Sequence, residues 1–148
     1  MPLPPGIVEV LLVEDSPSDA RLTQEALKEG AIYTHVSLVT DGLDAMAYLR
    51  REGRHAGAGR PDLILLDLNL PKMDGREVLQ CIKADKDLMT IPVVILTTSE
   101  AQADIMAAYA YHANCYIQKP VDFKRFLQTV AAIESFWFTI VKLPVVAE

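Results

Sequence analysis

Hydrophobic positions along the chain come in two alternating textures. Short, nearly continuous apolar runs rich in β-branched residues appear at Val8–Glu14 (VEVLLVE), His35–Thr40 (HVSLVT), Asp62–Asp67 (DLILLD), Val93–Thr97 (VVILT) and Cys115–Lys119 (CYIQK). Runs of this length without strict in/out alternation predict strands covered on both faces, as a parallel sheet requires. Between them, apolar residues recur every three or four positions, which predicts helices. The first follows Ser16, a fitting N-cap, with Pro17 suited to the first helical position, Asp19 able to complete a capping box, and Gly30 as a stop. Leu22, Ala26 and Leu27 share one of its faces. A second helix is expected from about Gly42 to Glu52 with Leu43, Met46 and Leu49 inward, and a third over GREVLQCIKAD (Gly75–Asp85). A fourth spans Glu100 to about Tyr111, and a fifth starts near Asp122 with Phe123, Leu127, Val130 and Ile133 inward. GRHAGAGRP (Gly53–Pro61) reads as an exposed loop. Five strands alternating with five helices predict an α/β fold, a doubly wound five-stranded parallel sheet with helices on both faces.

Length and composition narrow this picture without adding function. At 148 residues the chain is expected to form a single domain over 1–148, with a core of about 8–135. An excess of 20 acidic over 14 basic residues, net charge −6, and the lack of any Lys/Arg run argue against nucleic-acid binding. Apolar runs such as Leu63–Leu66 fall far short of the roughly 18 residues a membrane span needs, so no membrane association is expected. The start, MPLPPGIVEV, has no basic region and long apolar stretch of a signal peptide, which points to the cytoplasm. The two cysteines, Cys81 and Cys115, lack metal-ligand spacing and are expected as free, buried thiols; His35, His55 and His112 are expected at the surface or in loops.

Chemistry enters where the strands end. Asp67 closes the apolar run of PDLILLDLNLPKMDG (Pro61–Gly75), a charge where burial would penalise it. Ligands of an open parallel α/β sheet bind outside the carboxyl ends of its strands. Those ends carry Glu14 and Asp15, Asp67, Thr97 and Lys119. Carboxylates gathered at one edge repel one another, and a hard divalent cation is the expected remedy, Mg2+ in particular. Any one of these carboxylates alone could be a helix cap, as Ser16 and Asp19 are; the set together favours a metal site. Asp41-Gly42 reads as a strand-to-helix turn.

LLVEDSPSD, LILLDLNLPKMDG, VVILTTS and YIQKPVD, in this order and spacing, resemble the response-regulator receiver domain of two-component signalling, over roughly Val8 to Ile133. The resemblance implies the flavodoxin-like strand order 2-1-3-4-5. It implies that Asp67 accepts a phosphoryl group from a histidine kinase, assisted by Lys119 and Thr97. Asp15 and Asp67 would bind Mg2+ directly with the backbone carbonyl of Asn69, and Glu14 through water; Glu14 stands where many receivers have aspartate. Thr97 and Tyr116 would form the family's switch pair, although Tyr116 also reads as ordinary core. Lys119-Pro120 resembles the family's cis peptide. His112 departs from the glycine often found there. The module would act by binding and catalyse only its own phosphoryl transfer and dephosphorylation. A phospho-aspartyl enzyme of haloacid-dehalogenase type would need a second aspartate where Asn69 stands. A flavodoxin-like carrier would need a phosphate loop where the acidic EDSPSD lies, and a pure scaffold would have lost one of Asp15, Asp67, Thr97 or Lys119.

The end of the chain, ESFWFTIVKLPVV, is almost wholly apolar from Phe136 onward. It could pack onto its own domain. Phe136, Trp137 and Phe138 are consecutive, however, so one helical face cannot bury all three, and at least one is expected to face a partner. HANCYIQKPVDF and IESFWFTIVKLP resemble the stand-alone receivers serving cyanobacterial phytochrome-type light-sensing histidine kinases. That likeness implies a homodimer through the fourth helix, fifth strand and fifth helix, extended by residues 136–148.

Overall fold

A computed structural model describes residues 7–29, 34–97 and 115–118. The chain runs β1 (Val8–Val13), α1 (Pro17–Glu29), β2 (Thr34–Val39), α2 (Gly42–Arg50), a 3-10 turn (Gly53–His55), β3 (Leu63–Leu66), α3 (Gly75–Ala84), β4 (Val93–Thr97) and β5 (Cys115–Gln118). The five strands form one parallel sheet in the order β2-β1-β3-β4-β5. The strand order implied by the resemblance is therefore observed. Expectations for the fourth and fifth helices, His112, Lys119, the Lys119-Pro120 bond and Phe136–Phe138 lie outside the described residues.

The apolar runs are continuous because each face of the sheet has its own core. Val10, Leu12, Leu63, Leu65 and Val94 point to one side and pack with Ala20, Ala26 and Leu27 of α1. Leu11, Val13, Ile64, Leu66, Val93 and Ile95 point to the other and pack with Met46 and Leu49 of α2 and Val78, Leu79 and Ile82 of α3. All four residues of β3 are buried, and each such side chain is worth about 1.5–3 kcal/mol of transfer free energy. Among the described residues no helix is long and apolar enough to cross a membrane.

Ser16 caps the first helix as its sequence suggests, and Asp41, read as part of a strand-to-helix turn, caps the second. Ser16 Oγ accepts from the Asp19 N–H at 3.4 Å, and the buried Thr23 hydroxyl donates to the Asp19 carbonyl at 3.0 Å. Asp41 Oδ1 accepts from the Asp44 N–H at 2.7 Å, opening α2.

Four expectations are corrected. Leu43 faces out, 56% exposed, while Gly42, Ala45, Met46, Tyr48 and Leu49 form the buried side of α2. The cause is Gly42, where an added Cβ would lie 2.0 Å from the Met73 carbonyl oxygen; only a glycine lets the helix start approach so closely, and that approach turns Leu43 to solvent. α2 also ends at Arg50, because Arg51 takes the left-handed conformation (φ 56°, ψ 46°) and its N–H closes back onto Ala47 and Tyr48. Cys81 is a free thiol, but half-buried against the core. Finally, the glycine-rich loop is not wholly exposed: half-buried His55 meets Tyr48 edge-on at 5.1 Å and pairs with Asp44 through Nε2 at 2.7 Å.

Candidate functional site

β1 and β3 are paired neighbours, with Val13 opposite Leu66, so the residues following each strand emerge side by side. The Asp67 N–H donates to the Val13 carbonyl at 3.1 Å and the Glu14 N–H to the Val39 carbonyl at 3.0 Å, continuing the ladder one step past the strands. Glu14, Asp15 and Asp67 thereby come together: one carboxylate oxygen from each lies within 4.8 Å of the others. Glu14 and Asp67 are buried, at 2% and 6% exposure, and Asp15 is exposed. Two buried carboxylates at such a separation repel by a few kcal/mol at an effective dielectric of about 20.

Main-chain donors orient the two buried groups. The Ser16 N–H donates to Glu14 Oε2 at 3.2 Å, so the first turn toward α1 aims this carboxylate. The Asn69 N–H donates to Asp67 Oδ1 at 2.9 Å in the same i, i+2 manner. Beyond Asp67 the chain is tightly folded: Met73 N–H donates to Pro71 O at 2.7 Å and Gly75 N–H to Leu68 O at 3.0 Å. Lys72 takes a positive φ of 67°, and Asp74 Oδ1 accepts from the Arg76 N–H at 2.8 Å to open α3.

Two aspartate–glycine pairs support this loop. At Gly75 an added Cβ would lie 2.2 Å from the Asp67 carbonyl oxygen and 2.6 Å from Leu68 Cα. Gly42 N–H donates to Pro71 O at 3.3 Å, and Asp41 Oδ2 lies 3.6 Å from Lys72 Nζ, which holds the start of α2 against the same loop. Gly42, Gly75 and their aspartates were not among the residues the sequence singled out for the site. The repeated dipeptide, Asp41-Gly42 and Asp74-Gly75, was the available signal.

Of the remaining sequence-derived residues, Thr97 closes β4 beyond Ile95, which is paired with Leu66, so its backbone reaches the same edge as Asp67. Tyr116 lies in β5, its backbone paired with Ile95. Lys119, Phe136, Trp137 and Phe138 fall outside the described residues.

The donor set suits a hard cation. Ligand oxygens on opposite sides of a magnesium octahedron are separated by about 4.2 Å, twice the metal–oxygen distance. Three carboxylate oxygens already within 4.8 Å therefore need only a small adjustment to share one ion.

Comparison with known proteins gives a consistent result. The family described as "Response regulator receiver domain" matches residues 10–131. Response regulator Rcp1 of Synechocystis sp. is 51% identical over 141 residues, covering 95% of this chain and 95% of that protein. The crystal structure of the phosphorylated cyanobacterial phytochrome response regulator RcpA superposes with a TM-score of 0.90 at 52% identity, over 93% of this chain and 99% of that one. The Mn2+-bound form of Rcp1 gives 0.89 at 51% identity with the same coverage.

Proposed function

Because the chain belongs to the response-regulator receiver family, we propose that it works in a phosphorelay by accepting a phosphoryl group on Asp67 from a histidine kinase. The observation that carries this reading is the convergence of Glu14, Asp15 and Asp67 within 4.8 Å at the carboxyl edge of the sheet. The carboxylate of Asp67 attacks phosphorus, forming an acyl phosphate while the P–N bond to the kinase histidine breaks and the imidazole takes up a proton. The backbone bond from Asn69 fixes one oxygen of Asp67 and so restricts the direction of attack. Asp15 and Asp67, with the Asn69 carbonyl, would hold Mg2+ directly and Glu14 would hold it through water; the ion would supply positive charge between the acceptor and the incoming phosphoryl oxygens. Lys119 and Thr97 are assigned to those oxygens, and Thr97 with Tyr116 to the switch that changes partner binding.

The likeness to phytochrome response regulators supports a phytochrome-type light sensor as the kinase. A homodimer built on the fourth helix, fifth strand and fifth helix with residues 136–148 belongs to the same proposal, and the consecutive Phe136, Trp137 and Phe138 support it. The net charge of −6 supports protein partners over nucleic-acid contact. Acetyl phosphate with Mg2+ should label one carboxylate per chain, and Asp67→Asn should abolish labelling. Labelling that persists in that variant at another carboxylate overturns the assignment. Phosphotransfer profiling against candidate kinases, with the same variant as control, identifies the donor.

A further inference from the structure

At the end of the molecule where the strands begin, opposite the carboxylates, lies a cleft of about 470 Å³. Its floor is apolar: Leu49 near the end of α2, Pro61 just before β3, and Leu88 beyond α3, all buried. Its rim carries both signs, with Arg50 and Arg51 where α2 ends and Asp85 and Asp87 where α3 ends. Arg60 also lines it but is already engaged, donating to the Asp87 carbonyl and, at 2.9 Å, to Thr90 Oγ1.

Arg50 and Arg51 are different. Both are exposed, and no hydrogen bond or ion pair among the described residues engages either side chain. Arg51 moreover occupies the left-handed region, where glycine would sit without strain. A favourable interaction with the α2 dipole needs one cation in the last turn; it does not need an arginine at a strained position beside a cleft. Four of the seven arginines fall between positions 50 and 60 of a chain whose net charge is −6, and three of these, Arg50, Arg51 and Arg60, line the cleft.

Asp85 and Asp87 set the class of ligand. They would repel a polyanion such as a nucleic acid, whereas a carboxylate accompanied by a basic side chain meets a complement on each rim. We propose that this cleft docks a mixed-charge protein segment of the phosphodonor kinase. An acidic side chain binds Arg50 and Arg51, a basic one binds Asp85 and Asp87, and an apolar residue covers Leu49 and Leu88. This rests on the phosphorelay reading above. Because the cleft lies at the opposite end of the strands from Asp67, the kinase can hold the receiver without covering the acceptor, and the tethered phosphohistidine gains effective concentration.

The test uses the full chain and the autophosphorylated kinase selected by profiling. Arg50→Glu with Arg51→Glu, and separately Asp85→Lys with Asp87→Lys, should each raise KM for the phosphorylated kinase about tenfold with kcat unchanged. Labelling by acetyl phosphate should be unchanged in both, which shows the fold and acceptor intact; loss of that labelling in Asp67→Asn reports on the acceptor assignment separately. Arg51→Gly should also raise KM while its unfolding midpoint stays level or rises, a combination that a purely structural role for Arg51 does not produce. A KM within about twofold of the parent in either charge-reversed pair overturns the proposal.

Discussion

Gly75 shows how tightly single positions constrain the site. A methyl group there would sit 2.2 Å from the Asp67 carbonyl oxygen and 2.6 Å from Leu68 Cα, and both obstacles are backbone. The loop that carries the acceptor would have to move. Gly75→Ala should therefore cost about 2–3 kcal/mol of stability, a typical overpacking penalty, and slow labelling by acetyl phosphate. At Gly57 a Cβ meets nothing within 4 Å, so Gly57→Ala should stay within about 0.5 kcal/mol of the parent. Urea denaturation of both variants, read with labelling rates, checks the pair; a Gly75→Ala protein as stable as Gly57→Ala would show that the contact is not limiting. The carboxylates themselves were readable from sequence, because a charge ending an apolar run is conspicuous. The outward turn of Leu43 was not, since helical periodicity cannot register that Gly42 approaches Met73 across thirty-one positions.

α2 is the element whose surroundings the sequence conveyed least. Its position rests on contacts made at both ends: Asp41 and Gly42 to the loop after Asp67, and Asp44 and Tyr48 to the 3-10 turn and β2. Tyr48 donates from its hydroxyl to Ser37 Oγ at 3.1 Å and meets the edge of His55. These partners lie seven to eleven residues apart in different elements and leave no periodic trace, so a glycine-rich loop that looked exposed supplies a half-buried histidine. The pairing has a pH signature. Burial pushes the Asp44 carboxyl up, but hydrogen bonds from His55 and Arg54 and their charges outweigh it and hold the group below its ordinary range. A carboxylate depressed in the folded state contributes stability above its unfolded value, near 3.9, and loses it as the pH falls through the folded value. Asp44→Asn should thus lower stability at pH 7 by about 1 kcal/mol, and the difference from the parent should shrink as the pH falls below about 3.9. Thermal melts from pH 7 to 2.5 measure this; a gap that stays constant across the range would rule out the charged pairing as its source. Lys83 shows the opposite case, its ammonium pushed below the usual lysine range by burial while it donates to the carbonyls of Met89 and Ile91 at 3.3 and 3.2 Å.

The assembled sheet was largely foreseeable, because in a doubly wound fold the strand residues must face two cores and so read as unbroken apolar runs. Its order placed the ends of β1 and β3 side by side, and that adjacency turns carboxylates fifty-two positions apart, Asp15 and Asp67, into one cluster. The same reasoning from pattern to surface applies at the other end of the chain. Successive helical residues are separated by about 100°, so Phe136, Trp137 and Phe138 together span some 200° of a helix, more than one buried stripe covers. An extended strand does no better, since alternate residues take opposite faces. On the proposed dimer reading, at least one of the three rings would be left to a second molecule in either conformation, and two such segments related by a two-fold axis would be self-complementary. Removing Phe136–Glu148 should shift the mass in solution, measured by light scattering behind a sizing column, from dimer to monomer. Trp137→Glu alone should weaken association at least about tenfold while leaving acetyl phosphate labelling of Asp67 intact, because a buried interface tryptophan is the kind of residue on which binding energy concentrates. A monomeric mass for the unmodified chain at 100-fold the concentration used for labelling, about the highest practical range, would remove the interface, since a standard-sized apolar contact should associate well below it.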